Sequence, residues 1–228
     1  MIEHGHATHT GLRREHNEDS YWADATRGLW LVADGMGGPG RGEVASAQAL
    51  TAIVAATTIG VGLADAFRRA GAAVLGHPAQ QASVTPMGST LAALKIGQAG
   101  NYELAWIGDS RIYLWQHGRL LRASRPANGE AEPGADATVT PPRNLATQAL
   151  GITPVLELNV DPIAGRCAAD TQFLLCSDGL TEELDDARIE AIVARTDLAA
   201  QECVDQLLLA ALDAGGHDNI TAVLVRVT

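Results

Sequence analysis

Several short apolar segments of this chain run straight into an aspartate or follow one directly. Residues 28–33 (GLWLVA), 102–107 (YELAWI) and 171–176 (TQFLLC) have the length and composition of buried strands. The residues that follow them are Asp34-Gly35, Gly108-Asp109-Ser110 and Ser177-Asp178-Gly179, and His217-Asp218-Asn219 precedes the last apolar segment, 220–227. Such a chain must fold so that its strands are buried while their ends hold charge.

These aspartates can be explained in two ways. Asp-Gly is a common turn dipeptide, so turn geometry alone accounts for any one of the sites. For the whole set this explanation is weaker, because carboxylates gathered at strand ends raise one another's pKa values unless a cation is present. Oxygen-rich clusters are the ligands that Mg²⁺ and Mn²⁺ prefer, so the set indicates a divalent metal site.

Length and charge exclude several classes of protein. The chain has 228 residues, 46% of them apolar, and a formal charge of −11. It is long enough for one domain with its own core and too apolar for global disorder. The acidic excess argues against a nucleic-acid-binding protein, which needs a basic face.

The cysteines and the uncharged run 44–64 indicate the cellular compartment in which the protein is expected. Three cysteines with no CxxC pair, behind an N-terminus without a secretory pattern, predict reduced thiols and a cytoplasmic protein. The run 44–64 has the length of a membrane span but is rich in Ala, Thr, Ser and Gly and lacks flanking basic residues. We therefore expect a buried helix there and no membrane partner.

The remaining pattern predicts strands in two batches and helices in pairs, which indicates a layered α+β domain. Helices are predicted over 43–58, 63–75, 182–195 and 199–214, the last with Asp197 as its N-cap and Gly215-Gly216 as its stop. Strands are predicted over 28–33, 90–96, 102–107, 111–115, 119–122, 171–176 and 220–227, with the four between 90 and 122 forming a β-meander. The Pro- and Gly-rich residues 124–143 are predicted to form a loop.

A glycine-rich loop at 35–42 lies between a predicted strand and a predicted helix, a position that suits a phosphate cradle. It lacks the Lys-Ser/Thr of a nucleotide-binding P-loop, and no βαβ alternation supports a dinucleotide site. No GxSxG nucleophile motif occurs, and the cysteines have no recognisable His partner.

Eight short motifs occur in one order along nearly the whole chain. They are 10–20 (TGLRREHNEDS), 32–38 (VADGMGG), 42–46 (GEVAS), 87–90 (MGST), 108–111 (GDSR), 149–151 (ALG), 176–181 (CSDGLT) and 218–221 (DNIT). Together they resemble the metal-dependent Ser/Thr protein phosphatases of the PP2C (PPM) family, bacterial type. The resemblance implies a single domain over 1–228 with a four-layer α-β-β-α sandwich, two antiparallel sheets flanked by helix pairs.

The resemblance also implies a metal site at one edge between the sheets. By position, Asp34 would bridge two ions, and Asp178 and Asp218 would complete the first ion's protein ligands. The Gly35 carbonyl, and Glu18 mainly through water, would serve the second ion. The implied cofactors are two or three Mn²⁺ or Mg²⁺ ions.

Further residues match the family by position. Asp109 together with Asp178 matches the third metal site of bacterial members. Arg14 matches the phosphate-binding arginine, with Arg13 as the local alternative. The resemblance implies that Asp19 and Asn219 orient the metal ligands without contacting the ions themselves.

The implied reaction is hydrolysis of phosphoserine and phosphothreonine by direct attack of a metal-bridging hydroxide. The implied substrate is a protein phosphorylated by a Ser/Thr kinase, and a monomer is the default. Two alternatives remain open: a pseudophosphatase acting as a binding module, and a hydrolase of small phosphoesters.

The chain departs from the family at three places. Met36 stands where eukaryotic members have a His proposed as general acid, and Gln148 stands where an Arg is frequent. Residues 124–143 take the place of the family's flap and look shortened, which bears on substrate specificity.

Overall fold

A computed structural model describes residues 1–38, 40–81, 85–124 and 148–228. The strands in these ranges are β1 (Ile2–His9), β2 (Asp19–Asp24), β3 (Leu29–Met36), β4 (Gly88–Ser89), β5 (Leu91–Ile96), β6 (Asn101–Ile107), β7 (Arg111–Gln116), β8 (Arg119–Arg122), β9 (Ile163–Arg166), β10 (Thr171–Cys176) and β11 (Ile220–Val227). The α-helices in the same ranges are α1 (Arg41–Thr58), α2 (Leu63–Leu75), α3 (Pro78–Gln81), α4 (Asp178–Glu183), α5 (Asp186–Val193) and α6 (Ala200–Ala214).

The described strands form two antiparallel sheets. The first sheet has the order β1-β11-β10-β7-β8. The second sheet has the order β2-β3-β5-β6-β9, and β4 pairs with β3. The first and last strands of the chain are neighbours, with Ile2 opposite Val227 and His9 opposite Ile220.

The central strands are buried on both faces, which explains their continuous apolar sequence. In β3, Leu29, Leu31 and Ala33 pack with α1 and α2, while Trp30 and Val32 pack between the sheets. Successive side chains of β10 and β11 alternate in the same way. One set packs between the two sheets, and the other packs against helices α4, α5 and α6. The layers are therefore helix, sheet, sheet, helix, and the predicted α-β-β-α sandwich is confirmed.

Helix α1 is rich in alanine because it lies directly on the second sheet. Its buried face includes Ala45, Ala49, Ile53 and Ala56, spaced for one side of a helix. Within the described residues, no helix has both the length and the apolar character needed to cross a bilayer.

The predicted β-meander is wrong. β5 and β6 belong to the second sheet, whereas β7 and β8 belong to the first. The chain crosses between the sheets at Gly108, which has φ +90° and where a Cβ would lie 2.6 Å from Thr90 Cγ2. This tight crossing places Asp109 at the edge between the sheets.

The predicted helix 182–195 is two helices. α4 ends at Glu183, and Asp185 caps α5 by accepting a hydrogen bond from the Arg188 N–H at 2.7 Å. Asp197 is not the N-cap of α6, because it forms an ion pair with Arg195 instead. Ala199 occupies that cap position, and Gly215 ends the helix as predicted.

The edge strands β1, β2 and β9 and the two-residue strand β4 were not predicted. The three edge strands are mostly half-exposed, so their sequences lack an apolar run. Apart from Ser124, whose Oγ accepts a hydrogen bond from the Ile112 N–H at 3.0 Å, the predicted loop 124–143 lies outside the described residues.

Candidate metal centre

The predicted metal ligands line one open cavity of about 690 Å³ at the edge where the sheets meet. Its lining includes the carboxylates of Asp34, Asp109, Asp178, Asp218 and Glu18, together with Gly35, Met36, Arg14 and Asn219. Asp19 lies behind this lining and is buried. The structure thus brings every predicted site residue to one edge of the sandwich.

The sheet topology explains this convergence. β10 and β11 are antiparallel neighbours with Cys176 opposite Ala222, so the end of β10 lies beside the start of β11. Asp178 and Asp218 therefore arrive at the same edge of the first sheet. Asp34 approaches from β3 in the second sheet, where it lies opposite Asp19 of β2.

Two of the carboxylates at this edge, Asp34 and Asp178, have clearly raised pKa values. Burial, with the charges of Asp19, Asp178 and Asp109, raises the pKa of Asp34 well above its ordinary value. Burial and the neighbouring acids Asp109, Glu182 and Asp218 raise the pKa of Asp178 to about 7. The charge of Asp178 contributes to the raised pKa of Asp34, so the two carboxyls lie close together in the cavity.

Arg14 lies at the mouth of the cavity and is half-exposed. Its Nη2 donates to Oδ2 of Asp218 at 2.6 Å, a contact between residues 204 positions apart. Arg13 is exposed and is not among the described residues that line the cavity. Of these two neighbouring arginines, Arg14 is therefore the one that lines the cavity.

Close backbone packing fixes Glu18 and Gly35. The Gly35 N–H donates to the Glu18 carbonyl at 3.2 Å, and the Gly42 N–H donates to Oε1 of Glu18 at 3.1 Å. A Cβ at Gly35 would lie 1.9 Å from the Gly42 carbonyl oxygen, so only glycine fits there. The hydrogen bond from Gly42 therefore restrains the Glu18 carboxylate in the cavity wall.

Asn219 connects the two chain segments that form the mouth of the cavity. Its Oδ1 accepts from the Glu18 N–H at 2.8 Å, and its Nδ2 donates to the carbonyls of Thr10 and His16 at 2.8 and 2.9 Å. The N-terminal segment with Arg14 and Glu18 is therefore fastened to the segment with Asp218.

Asp19 supports the site from the interior. Its Oδ2 accepts from the Ser177 hydroxyl at 2.7 Å, next to Asp178. Burial raises its pKa to about 6, although hydrogen bonds from Thr221 and Ser177 act in the opposite direction. Asp19 thereby links β2 to the start of α4.

Sequence reasoning missed two hydroxyl residues that position Asp34. The Asp34 N–H donates to Thr90 Oγ1 at 3.0 Å, and Thr90 Oγ1 lies 2.7 Å from Ser110 Oγ. Both hydroxyl residues are buried. They connect β3 to the crossing that carries Asp109. The sequence feature that could have identified them is their position inside the MGST and GDSR motifs.

The donor set fits a hard divalent cation. All of the donors are oxygens, and Oδ1 of Asp178 and Oδ1 of Asp19 are buried with no hydrogen-bond partner among the described residues. Burying an unpartnered carboxylate oxygen is costly, and a cation in the cavity would offset that cost at Asp178.

The acids of the cavity are not gathered around one point, and Arg14 contacts one of them. In the described part of the chain, no three or more His, Cys, Asp or Glu residues already form a metal-binding group. Asp218 is paired with Arg14. This ion pair supplies part of the neutralisation that a cation in the cavity would supply.

Comparison with known proteins decides the family. Residues 10–214 match the family model described as protein phosphatase 2C. The chain belongs to the protein phosphatase 2C family. The serine/threonine phosphatase Stp of Listeria innocua is 30% identical to it over 96% of this chain and 93% of that protein. PstP of Mycobacterium tuberculosis is 33% identical over 95% of this chain, which spans 43% of that longer protein.

Solved PP2C structures confirm the predicted fold. The crystal structure of M. tuberculosis PstP matches with a TM-score of 0.85 at 30% identity, covering 99% of this chain and 98% of that chain. MsPP of Mycobacterium smegmatis, in complex with cacodylate, matches with a TM-score of 0.84 at 32% identity, covering 99% and 98%. The PstP catalytic domain in complex with two manganese ions gives 0.83 at 28%, covering 99% and 97%.

With no cation bound, we expect this PP2C chain to lose stability as the pH rises from about 4 to about 7. The folded protein keeps a proton on Asp178 up to about pH 7, whereas the unfolded chain releases it near the ordinary value of 3.8. The unfolded state then binds fewer protons, so the free energy of unfolding falls as the pH rises. Asp178→Asn should reduce this slope, measured by urea unfolding in chelator at pH 5 and pH 7.5.

The matched control is Asp213→Asn, at an exposed acid near the end of α6. This variant should keep the parent's pH dependence. An equal slope for the parent and Asp178→Asn would contradict the assignment of a raised pKa to Asp178.

Proposed function

We propose that this chain hydrolyses phosphoserine and phosphothreonine in proteins with two or three bound Mn²⁺ or Mg²⁺ ions, and that residues 1–228 form one phosphatase domain. The observation that carries the proposal is the convergence of the five predicted metal-binding acids and Arg14 on one open cavity. The Ser/Thr phosphatase relatives and the manganese complex of the PstP catalytic domain support it.

In this proposal, Asp34, Asp178 and Asp218 would hold the first ion, and Asp34 would also contribute to the second. The Gly35 carbonyl, and Glu18 mainly through water, would serve the second ion. Asp109 and Asp178 together would hold a third. The all-oxygen donor set suits both Mn²⁺ and Mg²⁺.

The protein's own residues position the phosphate group. When bound, the cations supply charge neutralisation and a water activated for direct attack on phosphorus. Arg14 binds the phosphoryl oxygens with its planar fork, which can contact two oxygens at once. Its half-exposed position at the mouth suits a phosphate carried on a protein surface. Asp19 and Asn219 hold the ligand segments in place through the hydrogen bonds described above.

Met36 lines the cavity at the position of the eukaryotic general acid. A thioether has no proton to give. The leaving alkoxide therefore takes its proton from a group other than residue 36.

We further propose that the substrate is a protein phosphorylated by a Ser/Thr kinase and that the phosphatase acts as a cytoplasmic monomer. A pseudophosphatase would be expected to have lost a metal-binding acid, and each predicted acid lies in or directly behind the cavity wall. Hydrolysis of small phosphoesters is an outcome of the test below.

We expect Mn²⁺-dependent hydrolysis of both an aryl phosphate and a phosphothreonine peptide, abolished by chelator. Asp178→Ala should reduce turnover to background, because this residue is shared by two of the proposed metal sites. The measurement is the initial rate on each substrate with Mn²⁺ or chelator, and Asp213→Ala, at an exposed acid, should keep the parent's rate. No Mn²⁺-dependent turnover of either substrate would refute the proposal, and turnover of only the aryl phosphate would indicate a hydrolase of small phosphoesters.

Arg14→Ala should raise KM for the phosphopeptide by roughly 10- to 100-fold, since a charge-assisted hydrogen bond contributes about 1.5–3 kcal/mol. Steady-state kinetics of Arg14→Ala and Arg13→Ala form the comparison. Arg13→Ala, at an exposed neighbour outside the cavity lining, should leave KM near the parent value. A fall in kcat with unchanged KM in Arg14→Ala would argue against a phosphate-binding role.

A further inference from the structure

A nearly buried carboxylate outside the cavity contacts the segment that carries Asp218. Oε1 of Glu183 accepts two hydrogen bonds from one residue, His217: from its backbone N–H at 2.9 Å and from ring Nδ1 at 2.7 Å. The Glu183 side chain is 8% exposed and the His217 side chain 64%. The Glu183 carboxylate is therefore hydrogen-bonded to His217 and largely shielded from solvent.

Helix α4 contacts the Asp218 segment at both of its ends. Asp178 is its first residue, and a Cβ on the next residue, Gly179, would lie 2.1 Å from the Asn219 carbonyl oxygen and 3.3 Å from Asp218 Cβ. Glu183 is its last residue and holds His217. These six residues span about 9 Å of helix, so the two contacts hold the segment along the length of α4.

Gly215 makes room for the His217 ring. Its φ is +153°, and a Cβ there would lie 2.3 Å from His217 Cε1 and 3.1 Å from Glu183 Oε2. A side chain at 215 would displace the ring or the carboxylate. The turn after α6 is therefore shaped to accommodate the contact between His217 and Glu183.

The N-terminal segment holds the opposite side of the same turn. The Leu12 N–H donates to the Gly216 carbonyl at 2.7 Å, and a Cβ at Gly11 would lie 2.1 Å from the Asp218 carbonyl oxygen. The Asp218 segment thus lies between residues 11–12 and helix α4. Removing the contact between Glu183 and His217 would leave helix α4 packed against the segment only at Gly179.

A metal ligand that is free to move must be brought into place when the ion binds, which weakens binding. Carboxylates that share a cation also repel one another when it is absent, so Asp178 and Asp218 tend to move apart. We infer that Glu183 is a positioning residue for the proposed metal centre: through His217 it holds Asp218 at a fixed place beside Asp178. This inference rests on the proposed function, because it concerns the ligands of that centre.

The test is Mn²⁺ binding to the chelator-stripped full chain, measured by calorimetry. Glu183→Ala should weaken Mn²⁺ binding about tenfold or more, the effect typical of residues that orient ligands. His217→Ala should weaken it less, because its backbone N–H still donates to Glu183. Glu183→Gln should bind Mn²⁺ nearly as well as the parent, since its amide oxygen can accept both hydrogen bonds.

The control is Asp197→Ala, which removes the ion pair with Arg195 in the turn before α6 and should leave Mn²⁺ affinity unchanged. Metal-free melting temperatures within about 4 °C of the parent would show that the variants are folded. Were Glu183→Ala unstable, His217→Ala at an exposed residue would decide the same question.

If the parent binds Mn²⁺ and dephosphorylates the peptide while Glu183→Ala and His217→Ala bind Mn²⁺ equally tightly, the positioning role is overturned and the phosphatase proposal stands. If the parent itself binds no Mn²⁺, both proposals fail.

Discussion

Repulsion among carboxylates at the open edge of the sandwich is the constraint on which the site depends. Asp34 comes from the second sheet and Asp178 and Asp218 from the first, so the repulsion acts across the space between the sheets. The raised pKa values of Asp34 and Asp178, which favour their uncharged forms, and the contact of Arg14 with Asp218 reduce it. Two divalent cations would reduce it further and would offset four of the chain's eleven excess negative charges.

Holding such acids together requires restraint from the surrounding backbone. Glu18 and Gly35 are fixed by contact with Gly42, where a side chain would not fit. The hydroxyls of Thr90 and Ser110 connect the backbone of Asp34 to the crossing between the sheets. Each of these restraints joins two elements that are distant in sequence, so the site is assembled only when both sheets and their helices are in place.

The sequence predicted those features of the fold that depend on residues close together in the chain. The apolar segments 28–33 and 171–176 and the acids that follow them are visible in sequence because strands buried on both faces must be apolar. The crossing at Gly108 was mistaken for part of a meander, since a Gly-containing turn between short strands looks the same within one sheet or between two. β1 escaped prediction because it is a half-exposed edge strand. The contacts of Arg14 with Asp218 and of Glu183 with His217 depend on tertiary packing, which no spacing in the sequence encodes.

The proposal that these aspartates hold divalent cations is tested most directly by a crystal structure of the chain grown with Mn²⁺. Anomalous difference density would locate the ions independently of any assumption about the ligands. We expect at least two peaks in the cavity, with one ion contacting Asp34, Asp178 and Asp218 and a second contacting Asp34 and the Gly35 carbonyl. Well-ordered carboxylates with no manganese peak among them would contradict the proposed metal centre and, with it, the proposed route to phosphate ester hydrolysis.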